Sequence, residues 1–79
     1  MPRYYFHVHG PSDQLKDDVG VVLPDAEAAW YQAVRSAREI IRADLQIGCP
    51  FENQMIEIAD DTGLPVEQVP LSEVARYAM

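Results

Sequence analysis

The stretch DAEAAWYQAVRSAREIIRADLQ, residues 25–46, predicts the one long amphipathic helix around which this chain is organised. Its apolar residues recur at helical spacing, and Asp25 follows Leu23-Pro24 as an N-terminal cap would. Gly48 is a natural stop for the helix. The predicted core stripe consists of Ala26, Trp30, Ala33, Ala37, Ile40 and Ile41, extended by Val34 and Leu45.

Two pairs of strand-like segments flank this helix. Alternating apolar and polar residues predict strands at Arg3–His9 and Val19–Leu23 before it, and at Gln54–Asp60 and Leu64–Val69 after it. We therefore predict one two-layer α+β domain over residues 1–79, with a ββαββ chain order and a four-stranded antiparallel sheet of order 2-1-3-4. One face of the sheet carries the long helix.

The second half of the chain contains three further local signals. Asp60-Asp61-Thr62-Gly63 is typical of a hairpin turn between the last two strands. Pro65 and Pro70 cannot donate ladder hydrogen bonds, which predicts that the last strand lies at an edge. A short closing helix, capped by Ser72, is expected after that strand.

The sheet face turned away from the helix is the first candidate for function. Alternation directs Tyr4, Phe6 and Val8 towards the helix. The opposite face then displays Tyr5, His7, His9, Met55, Glu57 and Val22. This mixture is too apolar for a purely solvated surface, so either the closing helix or a second copy of the chain would cover it. We predict a homodimer with Tyr5, Met55 and Val22 in its interface, against the alternative of a monomer with a half-polar sheet face.

His7-x-His9 places two imidazoles on that same face. Glu57 on the neighbouring strand, or Asp17 across the first hairpin, could add a carboxylate, and zinc or nickel requires three or four such ligands. The sequence therefore offers His7, His9 and Glu57 as a metal-ligand set, against the alternative of two partly exposed strand histidines. No cofactor is predicted.

No catalytic motif is recognisable in the chain. The pairs Asp17-Asp18 and Asp60-Asp61 lie near turns, where neighbouring carboxylates diverge instead of converging on a pocket, so we expect solvated turn residues. Cys49, the only cysteine, has no basic or histidine neighbour in sequence that would lower its pKa. The expectation is a protein that is not an enzyme.

Charge and hydropathy narrow the choice of partners. Thirteen acidic residues against six basic ones give a net charge of −7, which disfavours binding to nucleic acid. The helix stripe Arg35, Arg38 and Arg42 leaves a nucleic-acid-associated role as a weaker alternative. No apolar run approaches the roughly 20 residues that span a bilayer, and Met1–Phe6 begins like a strand, so we expect no membrane association and a cytoplasmic location.

Four segments of the chain carry a family resemblance to short uncharacterised bacterial proteins found in alphaproteobacteria. They are Arg3-Tyr4-Tyr5-Phe6-His7-Val8, the run from Asp18 to Asp25 with its Leu23-Pro24-Asp25 helix start, the alanine-rich helix with Ser36-Ala37-Arg38-Glu39-Ile40-Ile41, and Ile56–Gly63. That family is a domain of unknown function, and the resemblance spans roughly Pro2 to Val69. It implies a stand-alone cytoplasmic domain without a catalytic motif.

Together these features predict a small acidic accessory module that binds protein partners and associates with itself. A metal- or small-ligand-binding protein that uses the His-x-His strand is the alternative reading.

Overall fold

The computed structural model describes residues 1–48 and 53–78. The helix predicted from the sequence is α1, Ala26–Ile47, and the closing helix is α2, Leu71–Ala78. The strands, β1 to β5 in chain order, are Arg3–His9, Gln14–Leu15, Val21–Val22, Met55–Ala59 and Pro65–Pro70. The α+β class is confirmed, with an antiparallel sheet, a long helix and a short helix.

The sheet has five strands, where the sequence predicted four. Its path runs β2-β1-β4-β5, and β3 pairs separately with β1. The predicted count and order therefore both differ from the observed ones. Gly20 has a φ of 74°, a left-handed conformation that interrupts extended backbone, so the segment predicted as Val19–Leu23 narrows to Val21–Val22. Gln14–Leu15, which lies outside the predicted strands, forms the other half of this edge.

Helix α1 begins and ends as its sequence predicts. The side chain of Asp25 accepts the backbone N–H of Ala28 at 2.9 Å, which is the predicted N-cap. At the other end Gly48 has a φ of 75° and donates its N–H to the carbonyl of Asp44. Both terminal signals act through backbone hydrogen bonds of one turn, which is why the sequence alone reveals them.

The buried stripe of α1 differs from the predicted one. Ala29, Ala33, Ala37 and Ile41, each four residues after the last, are fully buried, while Trp30 is 42% and Leu45 60% exposed. Trp30 lies one residue, about 100°, away from this line. Leu45 fails for another reason: the helix of 22 residues is about 33 Å long, whereas the five-residue strand β4 spans about 17 Å. The last turns of α1 therefore extend past the sheet.

Helix α2 lies beside α1 on the same face of the sheet. Its Leu71 and Val74 are buried in the core with Ile56, Ile58 and Val69 of the sheet. The sequence predicted that either the closing helix or a second copy of the chain would cover the opposite face. The closing helix does not cover it. That face, called the open face below, has no helix over it among the described residues. Cys49 and the connection that contains it lie outside the described residues.

Candidate functional site on the open sheet face

The open face is built from the outward residues of β1 and their cross-strand neighbours. His7 stands opposite Glu57 and His9 opposite Met55, both on β4. At the other end of β1, Arg3 stands opposite Val22 of β3. Because residues directly opposite each other in an antiparallel pair share a face, the register brings the predicted residues onto one surface.

The predicted interface residues differ in how much surface they offer. Val22 is 43% exposed, and Met55 is half-buried at the far end of the face. Tyr5 is also half-buried, because its ring stacks on that of His7 with centroids 6.5 Å apart and lies against Gly20. A Cβ atom at Gly20 would meet Cε2 of Tyr5 at 2.9 Å. Tyr5 is thus held in place by its own chain, and Val22 is the exposed member of the three.

His9 and Glu57 form a close pair on this face. Nε2 of His9 lies 3.1 Å from Oε1 of Glu57, with the two side chains 30% and 23% exposed. The two atoms lie within salt-bridge distance but do not have hydrogen-bond geometry. The buried Nε2 atom has no hydrogen-bond partner in the part of the chain that the structure describes. This imidazole nitrogen and this carboxylate oxygen are therefore two potential ligands side by side.

His7 points to a different neighbour. Its Nδ1 accepts the backbone N–H of Asp17 at 3.0 Å, so the single proton of the neutral ring is assigned to Nε2. While this hydrogen bond persists, neither ring nitrogen of His7 offers a free lone pair to a metal ion. Within residues 1–48 and 53–78, no three His, Cys, Asp or Glu side chains are placed so that they could hold a metal ion.

Asp17 has a structural task that its sequence context did not reveal. One carboxylate oxygen accepts the N–H of Phe6 at 3.1 Å, and the other accepts those of Val19 at 3.0 Å and Gly20 at 3.1 Å. Partial burial acts to raise the pKa of Asp17, but the hydrogen bonds from these backbone donors lower it below its ordinary value. Asp17 is therefore not the solvated turn residue that we expected.

Asp60 acts in the same way in the turn between β4 and β5. Its Oδ1 accepts the hydroxyl of Thr62 at 2.6 Å, and the N–H groups of Thr62 at 2.9 Å and Leu64 at 3.1 Å. The Thr62 hydroxyl is the main reason that the pKa of Asp60 is lowered. Gly63, with a φ of 88°, completes the predicted hairpin. Both aspartates hold local backbone, so neither is a free acid or base.

A second surface lies on the helix side, and the sequence did not predict it. Trp30, Tyr31, Val34 and Arg38 of α1 line a groove of about 400 Å³, closed by Gln68 and Val69 of β5 and by Glu73 and Val74 of α2. We call it the aromatic groove. The rings of Trp30 and Tyr31 meet edge to face at 5.2 Å, and Tyr31 is 60% exposed. The sequence did not predict this groove because its helical pattern assigns Trp30 to the buried core. Two adjacent aromatic residues on a helix point about 100° apart, so both cannot lie at the centre of one buried stripe.

The described helices carry no membrane-spanning segment: none is long and apolar enough to cross a bilayer.

Comparison with family models gives a match over residues 3–72 to DUF6894, a domain of unknown function. The chain belongs to the DUF6894 family. This confirms the resemblance to a domain of unknown function, while the bacterial, alphaproteobacterial origin that it implied stays a prediction. The matched part of this DUF6894 chain includes the whole open face and ends within α2. No curated protein and no solved structure matches it.

Proposed function

We propose that this DUF6894 protein is a non-catalytic, cytoplasmic interaction module that associates with itself through the open face. The observation that carries the proposal is the placement of α2 beside α1, which leaves the opposite face of the sheet without a covering layer among the described residues. A sheet of this size gains stability when a second layer removes its apolar side chains from water. A second copy supplies such a layer with the same surface on both sides.

The edges of the sheet are poor sites for self-association, which favours the face. At the β5 edge, a twofold pair of strands centred on Glu67 would set two carboxylates against each other, and Pro65 and Pro70 lack N–H donors at the ends. At the other edge, β2 and β3 are two residues each and are separated by the backbone that Asp17 ties down. Both edges therefore resist pairing with another copy.

The test is the mass of the protein in solution, measured by size-exclusion chromatography with light scattering. We expect a dimer for the unaltered chain and a monomer for Met55→Glu and Val22→Glu, because each replaces an apolar side chain of the open face with a charge. Leu45→Glu, which makes the same change at a 60% exposed position of α1, is the matched control and should remain dimeric. A monomeric unaltered chain, or a dimer that both open-face variants leave intact, contradicts the proposal.

A metal-binding role is the second candidate, and the pair formed by His9 and Glu57 favours it. Donor atoms 3.1 Å apart suit neighbouring positions around one zinc ion, whose bonds to nitrogen and oxygen are about 2 Å long. A third ligand from His7 would require that it give up its hydrogen bond with Asp17. Calorimetric titration with zinc or nickel tests this role, and binding that survives His9→Ala with Glu57→Gln rules out the assignment.

A further inference from the structure

We propose that the aromatic groove binds an extended segment of another protein, which adds as a strand to β5, inserts an apolar side chain into the groove and places acidic residues against the arginines of α1. This surface is on the helix side of the sheet. It is therefore separate from the open face through which self-association is proposed, and either surface can operate without the other.

The groove provides an apolar site with an anchor of defined size. Trp30 and Tyr31 form one wall, and Val34, Val69 and Val74 form its floor from three different elements. Trp30 is 42% and Tyr31 60% exposed, so a large aromatic surface remains in contact with water. A cavity of about 400 Å³ beside them accommodates a leucine or phenylalanine side chain, and partly exposed tryptophan and tyrosine are the residues that most often dominate binding energy at protein interfaces.

The edge strand next to the groove has a backbone donor available for an added strand. The N–H of Leu71 donates to the carbonyl of Gln54 at 3.0 Å. From that residue back along β5, hydrogen-bonded pairs with β4 alternate with pairs that are not hydrogen-bonded. By this alternation the N–H of Gln68 points away from β4. Its nearest acceptor is the exposed carboxylate of Glu67, at 3.4 Å, which is a weak bond that an incoming strand readily replaces.

The charges around the groove select an acidic segment. Arg35, Arg38 and Arg42 lie three and four residues apart along one face of α1, all exposed, and Arg38 lines the groove itself. Among the described residues no carboxylate lies within salt-bridge distance of an arginine, so these three guanidinium groups have no acidic partner there. The chain as a whole has a net charge of −7, which makes this local cationic stripe an exception that carboxylates can complement.

Two other occupants fit the groove less well. A nucleic acid would bring a continuous row of phosphates towards Glu73, which lines the groove, and towards a strongly acidic protein. A second copy of the chain would insert a surface other than its own groove, such as the tip of the β4–β5 hairpin. A contact between two different surfaces leaves one copy of each surface unoccupied in every dimer, so association would continue into rings or filaments. A short segment with few carboxylates and one apolar anchor avoids both difficulties.

The experiment is selection from a random peptide library displayed on phage, with the intact protein as bait, followed by affinity measurements on a selected synthetic peptide. We expect the selected peptides to combine a leucine or an aromatic residue with one or two Asp or Glu residues. Binding should weaken about tenfold or more for Arg38→Glu and for Trp30→Ala, because each removes a central contact. Lys16→Glu, the same charge change on an exposed residue that borders the open face, is the matched control and should bind as the unaltered protein does.

A backbone variant tests the strand addition directly. Gln68→Pro removes the N–H that points out of the sheet, and proline is tolerated at such edge positions, so the thermal unfolding midpoint should change little while peptide binding is lost. Four outcomes would overturn the proposal: no acidic apolar consensus among the peptides, binding that Arg38→Glu leaves unchanged, an equal loss in Lys16→Glu, or Arg38-dependent binding of single-stranded RNA without any selected peptide. None of these outcomes depends on whether the protein is a dimer.

Discussion

The carboxylate of Asp17 accepts the backbone N–H of Phe6 at 3.1 Å, in the gap that separates the two short strands pairing with β1. This side chain accepts the N–H that a backbone carbonyl of a neighbouring strand would accept in a continuous sheet. Because the same carboxylate also binds the N–H groups of Val19 and Gly20, one residue fixes both the edge of the sheet and the loop that crosses it. The β2–β3 edge depends on this single carboxylate.

We expect Asp17→Ala to lower the free energy of unfolding by about 1–2 kcal/mol, since it leaves the part-buried N–H of Phe6 without its acceptor. Asp18→Ala, at the adjacent exposed position, is the control and should change stability by less than about 0.5 kcal/mol. Urea unfolding at neutral pH measures both. Equal effects of the two substitutions would show that the Asp17 hydrogen bonds contribute nothing specific.

The pH dependence of the Asp17 contribution has a definite sign. Its pKa is lower in the folded chain than its ordinary value of 3.8, so the unfolded state binds the proton more readily. The stabilisation is therefore complete above that ordinary value and is lost as pH falls through the lowered pKa. The difference in unfolding free energy between the unaltered chain and Asp17→Asn should be constant from about pH 7 to pH 5 and shrink under more acidic conditions. A difference that grows on acidification would contradict the assignment.

Gly20 and Gly63 separate backbone strain from crowding. Both have positive φ, 74° and 88°, but a Cβ at Gly20 would lie 2.9 Å from Cγ of Arg3 and 3.0 Å from the carbonyl oxygen of Tyr4, whereas one at Gly63 would meet nothing within 4 Å. Gly63→Ala should destabilise by about 1–2 kcal/mol through strain alone. Gly20→Ala should cost at least about 1 kcal/mol more, because fixed backbone atoms must also shift. Thermal unfolding of the two variants checks the ranking.

Ile41 and Ile47 test where the core ends along α1. Ile41 is fully buried, whereas Ile47, in the last turn, is 73% exposed. Ile41→Ala should cost about 2–5 kcal/mol by leaving a cavity between helix and sheet, and Ile47→Ala less than about 0.5 kcal/mol. Chemical denaturation is the measurement. A large loss in Ile47→Ala would mean that the end of α1 is packed against a surface that the isolated chain does not show.

The sequence by itself determined the features that depend on neighbouring residues. The Asp25 cap and the Gly48 stop bounded α1, the alternation at Arg3–His9 fixed which side chains of β1 share a face, and the Asp60–Gly63 signature placed a hairpin. Each of these results from hydrogen bonds or sterics within a few residues, so local pattern suffices. The contact between His9 and Glu57, in contrast, depends on the register of β1 against β4, which the sequence did not specify.

Only the tertiary structure decided the features that depend on distant packing. That Trp30 leaves the core for the aromatic groove depends on which line of α1 meets the sheet, and the exposure of Leu45 depends on the length of the strands beneath it. The placement of α2 beside α1, and not on the open face, follows from the burial of Leu71 and Val74 in the core between helix and sheet. The role of Asp17 likewise required the backbone of Phe6, eleven residues away, to present an unpaired N–H at that point. Burial and hydrogen-bond satisfaction are properties of the assembled layers, and no local pattern encodes them.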